Sequence, residues 1–441
     1  MELYTIPLNG PDSAGKQILF RPLAGLAFVG NQAMANLTRR LADNGAENEE
    51  LGEPVEFLQR IGFLEPDPSP PPAAEGEFCP TTAVLLMTNQ CQLRCTYCYA
   101  SAGNFELKEL TPELGKAAIT YVCENAKKLG HSGFEVSFHG GGEPTLAWKT
   151  MQECITYARQ MELPAHISLT TNGIWSNQKT QWLMEHVDNI SLSFDGAPPT
   201  QDHNRPYING RGSSNIVMRT IGELDRQRFK YGIRLTATAP WSDFPRNVRF
   251  ICEETKCPSM QVEPAFNSRR GEHFQPNTPE ALAFGEAFLE AYDIAARAGR
   301  LLSYSGARME KISPAFCSAP YQALVINASG NLVSCYEVTS NEHPLAELSK
   351  IGRIEDGHVK IDEAARNKLH QKMSERRDGC RECAGYWSCA GDCYTRTFVP
   401  GEKGHLLYRA RCDLNRYLLG ELLLRGIAQG DGFWRASWKN G

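Results

Sequence analysis

At 441 residues the chain is long enough for two or three domains and a sizeable core. Its 46 basic and 51 acidic residues leave a formal net charge of -5, so bulk charge implies no polyanion and nucleic acid is not an expected partner. No stretch approaches the apolar length of a membrane span, and the N-terminus has no basic region followed by an apolar one, so the expectation is a cytoplasmic protein without membrane association.

Residues 1–64 read as a small N-terminal domain. Strand-like runs at 3–7 and 18–21 precede a helix around 33–43 and a helical run at 54–61, closed by Gly62, Phe63 and Leu64. Strands followed by short helices with an apolar tail resemble a winged helix. The segment 65–81 follows, and its proline-rich part, 65–77, reads as a linker.

From 82 to 305 the pattern alternates. Six strand-like runs lie at 82–87, 134–138, 166–171, 190–194, 232–237 and 260–264. Helical patterns fall at 112–128, 146–160, 176–186, 215–231 and 245–254. Strands alternating with helices of this length imply βα units, a parallel sheet and an α/β fold. Chemistry in such folds sits at the C-terminal ends of the strands. There the sequence puts a cysteine loop after strand one, Gly141, Gly142 and Glu143 after strand two, and Asn172 after strand three. Ser193 and Asp195 close strand four, and Arg234 lies in strand five. Asn172 and Asp195 each precede a glycine and read equally well as turn residues; Arg234 reads equally well as half of a structural ion pair.

The cysteine loop carries the strongest signal. Cys91, Cys95 and Cys98 are spaced Cys-x3-Cys-x2-Cys, with Tyr97 just before the last. Three soft thiolates suit three irons of a [4Fe–4S] cube and leave the fourth iron open to a ligand. The competing reading is a zinc knuckle or unrelated free thiols. This spacing, followed one strand–helix interval later by Gly141-Gly142-Glu143-Pro144, resembles the radical SAM family. The resemblance implies a partial (β/α)6 barrel in which the open iron chelates S-adenosylmethionine (SAM), and one electron splits it into methionine and a 5′-deoxyadenosyl radical. It implies that Gly141, Gly142 and Glu143 bind the methionine amino group, and that Tyr97, Asn172, Ser193 and Arg234 belong to the SAM site. An arginine fork suits a carboxylate.

Residues 306–425 carry a second cysteine framework: Cys317, Cys335, Cys380, Cys383, Cys389, Cys393 and Cys412. Their order and spacing resemble the SPASM extension of radical SAM enzymes, which binds two auxiliary [4Fe–4S] clusters and brings the expected total to three. By that resemblance the outer cluster takes Cys380, Cys383, Cys389 and Cys412. The inner one takes Cys317, Cys335 and Cys393 and lacks a fourth cysteine, since Ala323 stands where some relatives have one. The alternative is a pair of zinc sites with His370 or His405 as eighth ligand. Cys123, Cys154 and Cys252 fall in apparent helices and read as small buried hydrophobes, and residues 426–441 read as a tail.

The extension is common in enzymes that modify peptides. The resemblance therefore implies hydrogen abstraction from a ribosomally made precursor peptide, giving a crosslink or another backbone or side-chain change. Residues 1–64 would either hold the leader peptide as an added strand or pack on the barrel as a plain N-terminal cap, and a flavodoxin or ferredoxin would supply electrons. The alternative is an anaerobic sulfatase maturase, which makes formylglycine. Against it, those enzymes place a catalytic aspartate right after the second extension cysteine, where this chain has Tyr336 and Glu337. A non-catalytic iron–sulfur carrier fits poorly with an open-site motif.

Overall fold

The structure, a computed structural model, describes residues 1–8, 13, 15–44, 52–72, 76–266, 270, 276–341, 343–397 and 409–439. His405 and part of the proline-rich segment, 73–75, lie outside the described residues.

The N-terminal part is a meander of β1 (Tyr4–Pro7), β2 (Lys16–Arg21) and β3 (Leu26–Asn31), followed by helices Gln32–Asn44 and Glu53–Arg60. The sequence reading missed β3. The run from Ile18 to Val29 is almost wholly apolar, so its period marks no break. The break is a tight turn, with the Gly25 N–H donating to Pro22 O at 2.9 Å and Gly25 at φ +61°. The buried Arg21 ties this sheet to the start of the linker through Glu65 O at 2.8 Å and Asp67 Oδ1 at 2.6 Å.

The middle of the chain supplies β4 (Thr82–Leu86), β5 (Phe134–His139), β6 (Ala165–Thr171), β7 (Asn189–Ser193), β8 (Tyr231–Thr238) and β9 (Ser259–Ala265). They pair in chain order, all parallel, as the six predicted strands require. A seventh parallel strand, β10 (Leu301–Tyr304), extends the β9 edge and was not anticipated. Alternate residues of β5 and β6, such as Phe134, Val136, Phe138, Ile167 and Leu169, enter the main core. Helix Pro112–Lys128 starts at Thr111, whose side chain accepts from Leu114 N–H, and buries Ile119, Val122 and Cys123. Cys154 is buried too, and Cys252 packs against the core from a half-buried position. The helix predicted over 215–231 stops at Arg226, because Arg228 turns the chain at φ +53° and Tyr231 already opens β8.

On the other side of β4 lie β11 (Ala323–Ile326), parallel to it, then β12 (Asn331–Val333), β13 (Lys350–Glu355) and β14 (His358–Ile361), antiparallel. Among the described residues one sheet of eleven strands therefore joins the cysteine loop after β4 to Cys335, which follows β12. The alternation along β4 explains the join. Ala83 and Leu85 face the main core, whereas Val84 and Leu86 face a second apolar cluster with Ala319, Val325, Val333 and Val338. A strand buried on both faces reads as an unbroken apolar run, as 83–87 does.

The last segment closes the N-terminal sheet. Helix Arg409–Gln429 leads to β15 (Phe433–Arg435), which pairs antiparallel with β3. Leu419, Leu423 and Trp434 bury against Ile18, Phe20 and Ala27. Trp434 is 5 % exposed, 6.0 Å from the Phe20 ring. Replacing Trp434 with Ala should cost about 3–5 kcal/mol. Leu301→Ala, at a residue 72 % exposed, should fall within about 0.5 kcal/mol of wild type. Chemical denaturation of both variants checks this.

Candidate active site

After β4 the chain forms a loop held from both sides. Thr88 bridges to Glu109, and Asn89 donates to Glu106 O at 2.6 Å while accepting from Lys108 N–H at 3.0 Å. Arg94 folds back on its own loop, donating to Cys91 O at 2.7 Å and to Gly103 O at 3.1 Å. Thr96 N–H reaches Asn204 O at 2.9 Å, and Arg94 N–H reaches Pro206 O at 2.7 Å. So anchored, Cys91, Cys95 and Cys98 line one cavity of about 400 Å³ at the C-terminal ends of the parallel strands. Burial pushes the Cys91 thiol up to about 12 and Cys95 up to about 11, with Arg205 opposing in the second case. Buried thiols of this kind become thiolates when a cationic metal centre compensates their charge. The three-cysteine loop fits a [4Fe–4S] cluster in donor type, spacing and access to the cavity. Among the described residues no three Cys, His, Asp or Glu side chains converge on one metal ion. A cubane puts each thiolate on a different iron and so needs no such convergence.

The turn after β5 packs on this loop. Gly142 N–H donates to Thr88 O at 2.7 Å, and Glu143 N–H donates to Gln90 O at 2.7 Å. A Cβ on Gly142 would stand 1.9 Å from Gln90 O, so only glycine permits the approach. Gly141 and Gly142 both line the cavity. Glu143 lines the cavity as well, and its carboxylate is buried. It accepts from Thr145 N–H at 3.1 Å, Thr145 Oγ1 at 2.7 Å, Thr171 Oγ1 at 2.8 Å and Asn172 N–H at 2.8 Å. Burial raises its affinity for a proton, and these donors oppose that. Its side chain therefore locks the ends of β5 and β6 together. Asn172, which follows β6, directs Nδ2 to Cys91 Sγ at 3.6 Å, while its Oδ1 accepts from Ile174 N–H at 3.0 Å.

Beyond Asn172, the Tyr97 hydroxyl donates to Asp195, and Arg205 pairs with the same carboxylate at 3.1 Å and lies over the Tyr97 ring at 5.3 Å. Thr236 N–H and Asn204 Nδ2 complete the Asp195 shell at 2.9 and 3.2 Å. Asp195 is thus the keystone of a buried polar group, a larger role than a turn residue has. Ser193 and Arg234 are register partners on β7 and β8 and both line the cavity. Among the described residues the Arg234 guanidinium has no ion-pair partner. It helps burial hold His139 down to about 4, so that ring is neutral at ordinary pH.

The extension forms the facing wall. Tyr336 stacks on His139 with centroids 5.2 Å apart. Arg396 bridges Glu263 Oε2 at 2.5 Å and Glu337 Oε1 at 2.9 Å, and all three line the cavity. Cys335 and Cys393 meet at Thr395, whose Oγ1 is 3.8 Å from Cys335 Sγ and 3.0 Å from Cys393 Sγ. Burial pushes both thiols up, Cys393 to about 11, and Cys317 contributes to the rise at Cys335. A second group gathers Cys380, Cys383, Cys389 and Cys412: burial pushes the Cys380, Cys389 and Cys412 thiols up, and the charges of neighbouring cysteines in the group add to the rise. Beside it Arg411 grips the buried Asp392 with Nε at 2.8 Å and Nη2 at 3.0 Å, and Asn415 Nδ2 reaches Cys389 Sγ at 3.5 Å. The thiols of both groups fit cluster ligation in donor type. Sequence reasoning missed Glu263, Thr395, Arg396 and Arg411. Arg396 lies three residues after Cys393, and Arg411 one before Cys412, which is the signal that was available.

Residues 85–243 match the model of the Radical SAM superfamily. Fe-coproporphyrin III synthase of Methanosarcina barkeri is 28 % identical over 306 residues, covering 66 % of this chain and 71 % of that protein. Two further curated relatives are matched over 52 % and 34 % of their own length. Among solved structures, native anSMEcpe with bound AdoMet superposes with a TM-score of 0.60 at 18 % identity, covering 79 % of this chain and 99 % of that one. Streptococcus suis SuiB bound to precursor peptide SuiA gives 0.51 at 16 % identity, covering 82 % and 83 %. These two show a shared fold. The contact at Gly142 makes a sharp test. Gly142→Ala should displace the cysteine loop and cut bound iron by about one cluster, roughly four irons per chain, while the protein stays folded. Iron analysis with circular dichroism checks it.

Proposed function

We propose that this enzyme, a member of the radical SAM superfamily, modifies a ribosomally made precursor peptide by hydrogen-atom abstraction, forming a crosslink or another backbone or side-chain change. The observation that carries the reading is the meeting, in one cavity, of the Cys91, Cys95 and Cys98 loop with the Gly141–Gly142 turn, Ser193 and Arg234. When bound, SAM and the cluster supply a 5′-deoxyadenosyl radical that takes a hydrogen atom from the substrate. The chain's own residues hold and shield. Arg234, without an ion-pair partner among the described residues, offers its fork to the SAM carboxylate, with Ser193 beside it in register for the ribose. Tyr99, Tyr336 and Phe266 give the cavity apolar walls that keep water from a reactive centre. The extension cysteines would hold two auxiliary clusters, and a flavodoxin or ferredoxin would deliver electrons.

A second reading, chemistry on an iron porphyrin, is favoured by the alignment with the Methanosarcina barkeri protein over 66 % of this chain. A coproporphyrin carries four carboxylates. Arg205, Arg396 and Arg411 in the cavity are already paired with Asp195, Glu263, Glu337 and Asp392, which leaves Arg234 for an anionic ligand among the described cavity residues. Peptide modification suits that charge balance better. Formylglycine formation lacks its expected aspartate, since Tyr336 and Glu337 follow Cys335.

Anaerobically reconstituted protein should carry about three clusters, near twelve irons, and convert SAM to methionine and 5′-deoxyadenosine under a strong reductant. Zinc at the C-terminal cysteines, or S-adenosylhomocysteine as main product, would overturn the respective half. Leader capture has its own readout. β1 and β15 are the edges of the small antiparallel sheet, where an extra strand can add. Adding precursor should slow amide hydrogen exchange at 4–7 or 433–435. Unchanged exchange at both edges under saturating precursor would contradict capture there.

A further inference from the structure

One hydrogen-bonded chain runs through the cavity wall into the inner cysteine group. Thr395 Oγ1 lies 3.2 Å from Glu337 Oε2 and 3.0 Å from Cys393 Sγ, and it is buried behind the wall. A hydroxyl has one proton to donate. An ionised carboxylate and a metal-bound thiolate only accept. Thr395 therefore donates to Glu337 or to a sulfur of the inner group, Cys393 at 3.0 Å being nearer than Cys335 at 3.8 Å, one at a time. Glu337 is fixed for this competition. Arg396 holds its Oε1 at 2.9 Å and is itself held by Glu263 at 2.5 Å, at the C-terminal end of β9. Oε2 receives the Thr395 hydroxyl, and Glu337 lines the cavity.

We propose that Thr395 is a positioning residue that relays occupancy of the cavity to the inner cysteine group. With the cavity free, its proton rests on Glu337. When a hydrogen-bond donor or cation on the substrate engages Glu337, the proton turns to Cys393 sulfur. This rests on the reading that Cys317, Cys335 and Cys393 hold an auxiliary cluster. A hydrogen bond donated to a cluster sulfur stabilises the reduced, more negative state and raises the reduction potential. A seated substrate thereby makes the inner site a better electron acceptor.

The test uses the full-length reconstituted protein and redox titration followed by electron paramagnetic resonance, so it reads a potential and needs no turnover. Thr395→Val should shift the inner-cluster potential down relative to wild type, and Thr395→Ser should restore it. Glu337→Gln, by weakening the competing acceptor, should shift it up. That upward shift should shrink in the Thr395→Val background, which is the signature of a shared proton. Equal potentials in the Val and Ser variants, or a Glu337→Gln shift of the same size in both backgrounds, would overturn the relay. If Thr395→Val holds no inner cluster, Glu337→Gln decides alone, and an unchanged or lowered potential refutes it. Wild-type protein with about one cluster too few would instead refute the auxiliary-cluster reading, and the relay with it.

Discussion

Everything at this site depends on the close approach of two loops. The cysteine loop after β4 and the glycine turn after β5 meet through backbone hydrogen bonds from Gly142 and Glu143 to Thr88 and Gln90. No side chain fits between them, because a Cβ on Gly142 would overlap Gln90 O. A buried carboxylate is costly unless it is fully bonded. Glu143 meets that condition by tying the turn to Thr171 at the end of the next strand and to Asn172 just beyond it, and Asn172 in turn reaches Cys91 sulfur. A chain of short contacts thus sets where the thiols stand before any cofactor arrives.

The second cysteine framework reaches the same cavity because β4 has two buried faces. One faces the main core and the other the cluster around Val325 and Val333. That packing carries Cys335 and its neighbours Tyr336 and Glu337 to the cavity rim, where Tyr336 stacks on His139 and Glu337 is bridged by Arg396 to β9. Among the described residues the other cavity arginines, Arg205, Arg396 and Arg411, are ion-paired to carboxylates, so the charge available to a ligand is concentrated at Arg234.

Much of this was legible from residues alone. The six parallel strands follow from alternating β and helical periods, and the cavity residues from their places after those strands. Other parts were hidden for physical reasons. β3 merges with β2 in a run that is apolar but for Arg21, so the Gly25 turn leaves no periodic mark. β15 is short and its partner lies at the far end of the chain, a pairing that local pattern cannot report. Asp195 looks like a turn residue and becomes a buried keystone once Tyr97 and Arg205 converge on it. Glu263 and Arg396 have meaning only as a pair formed across the cavity.

The central claim is that the Cys91, Cys95 and Cys98 loop presents an iron open to SAM, with Arg234, which has no ion-pair partner among the described residues, meeting its carboxylate. Electron paramagnetic resonance of the reduced, reconstituted protein tests it most directly, recorded with and without SAM. The account predicts that SAM changes the signal of one [4Fe–4S] cluster, and that Arg234→Met raises the SAM concentration needed to do so. A spectrum left unchanged by saturating SAM, with the cysteine loop fully loaded with iron, would contradict it.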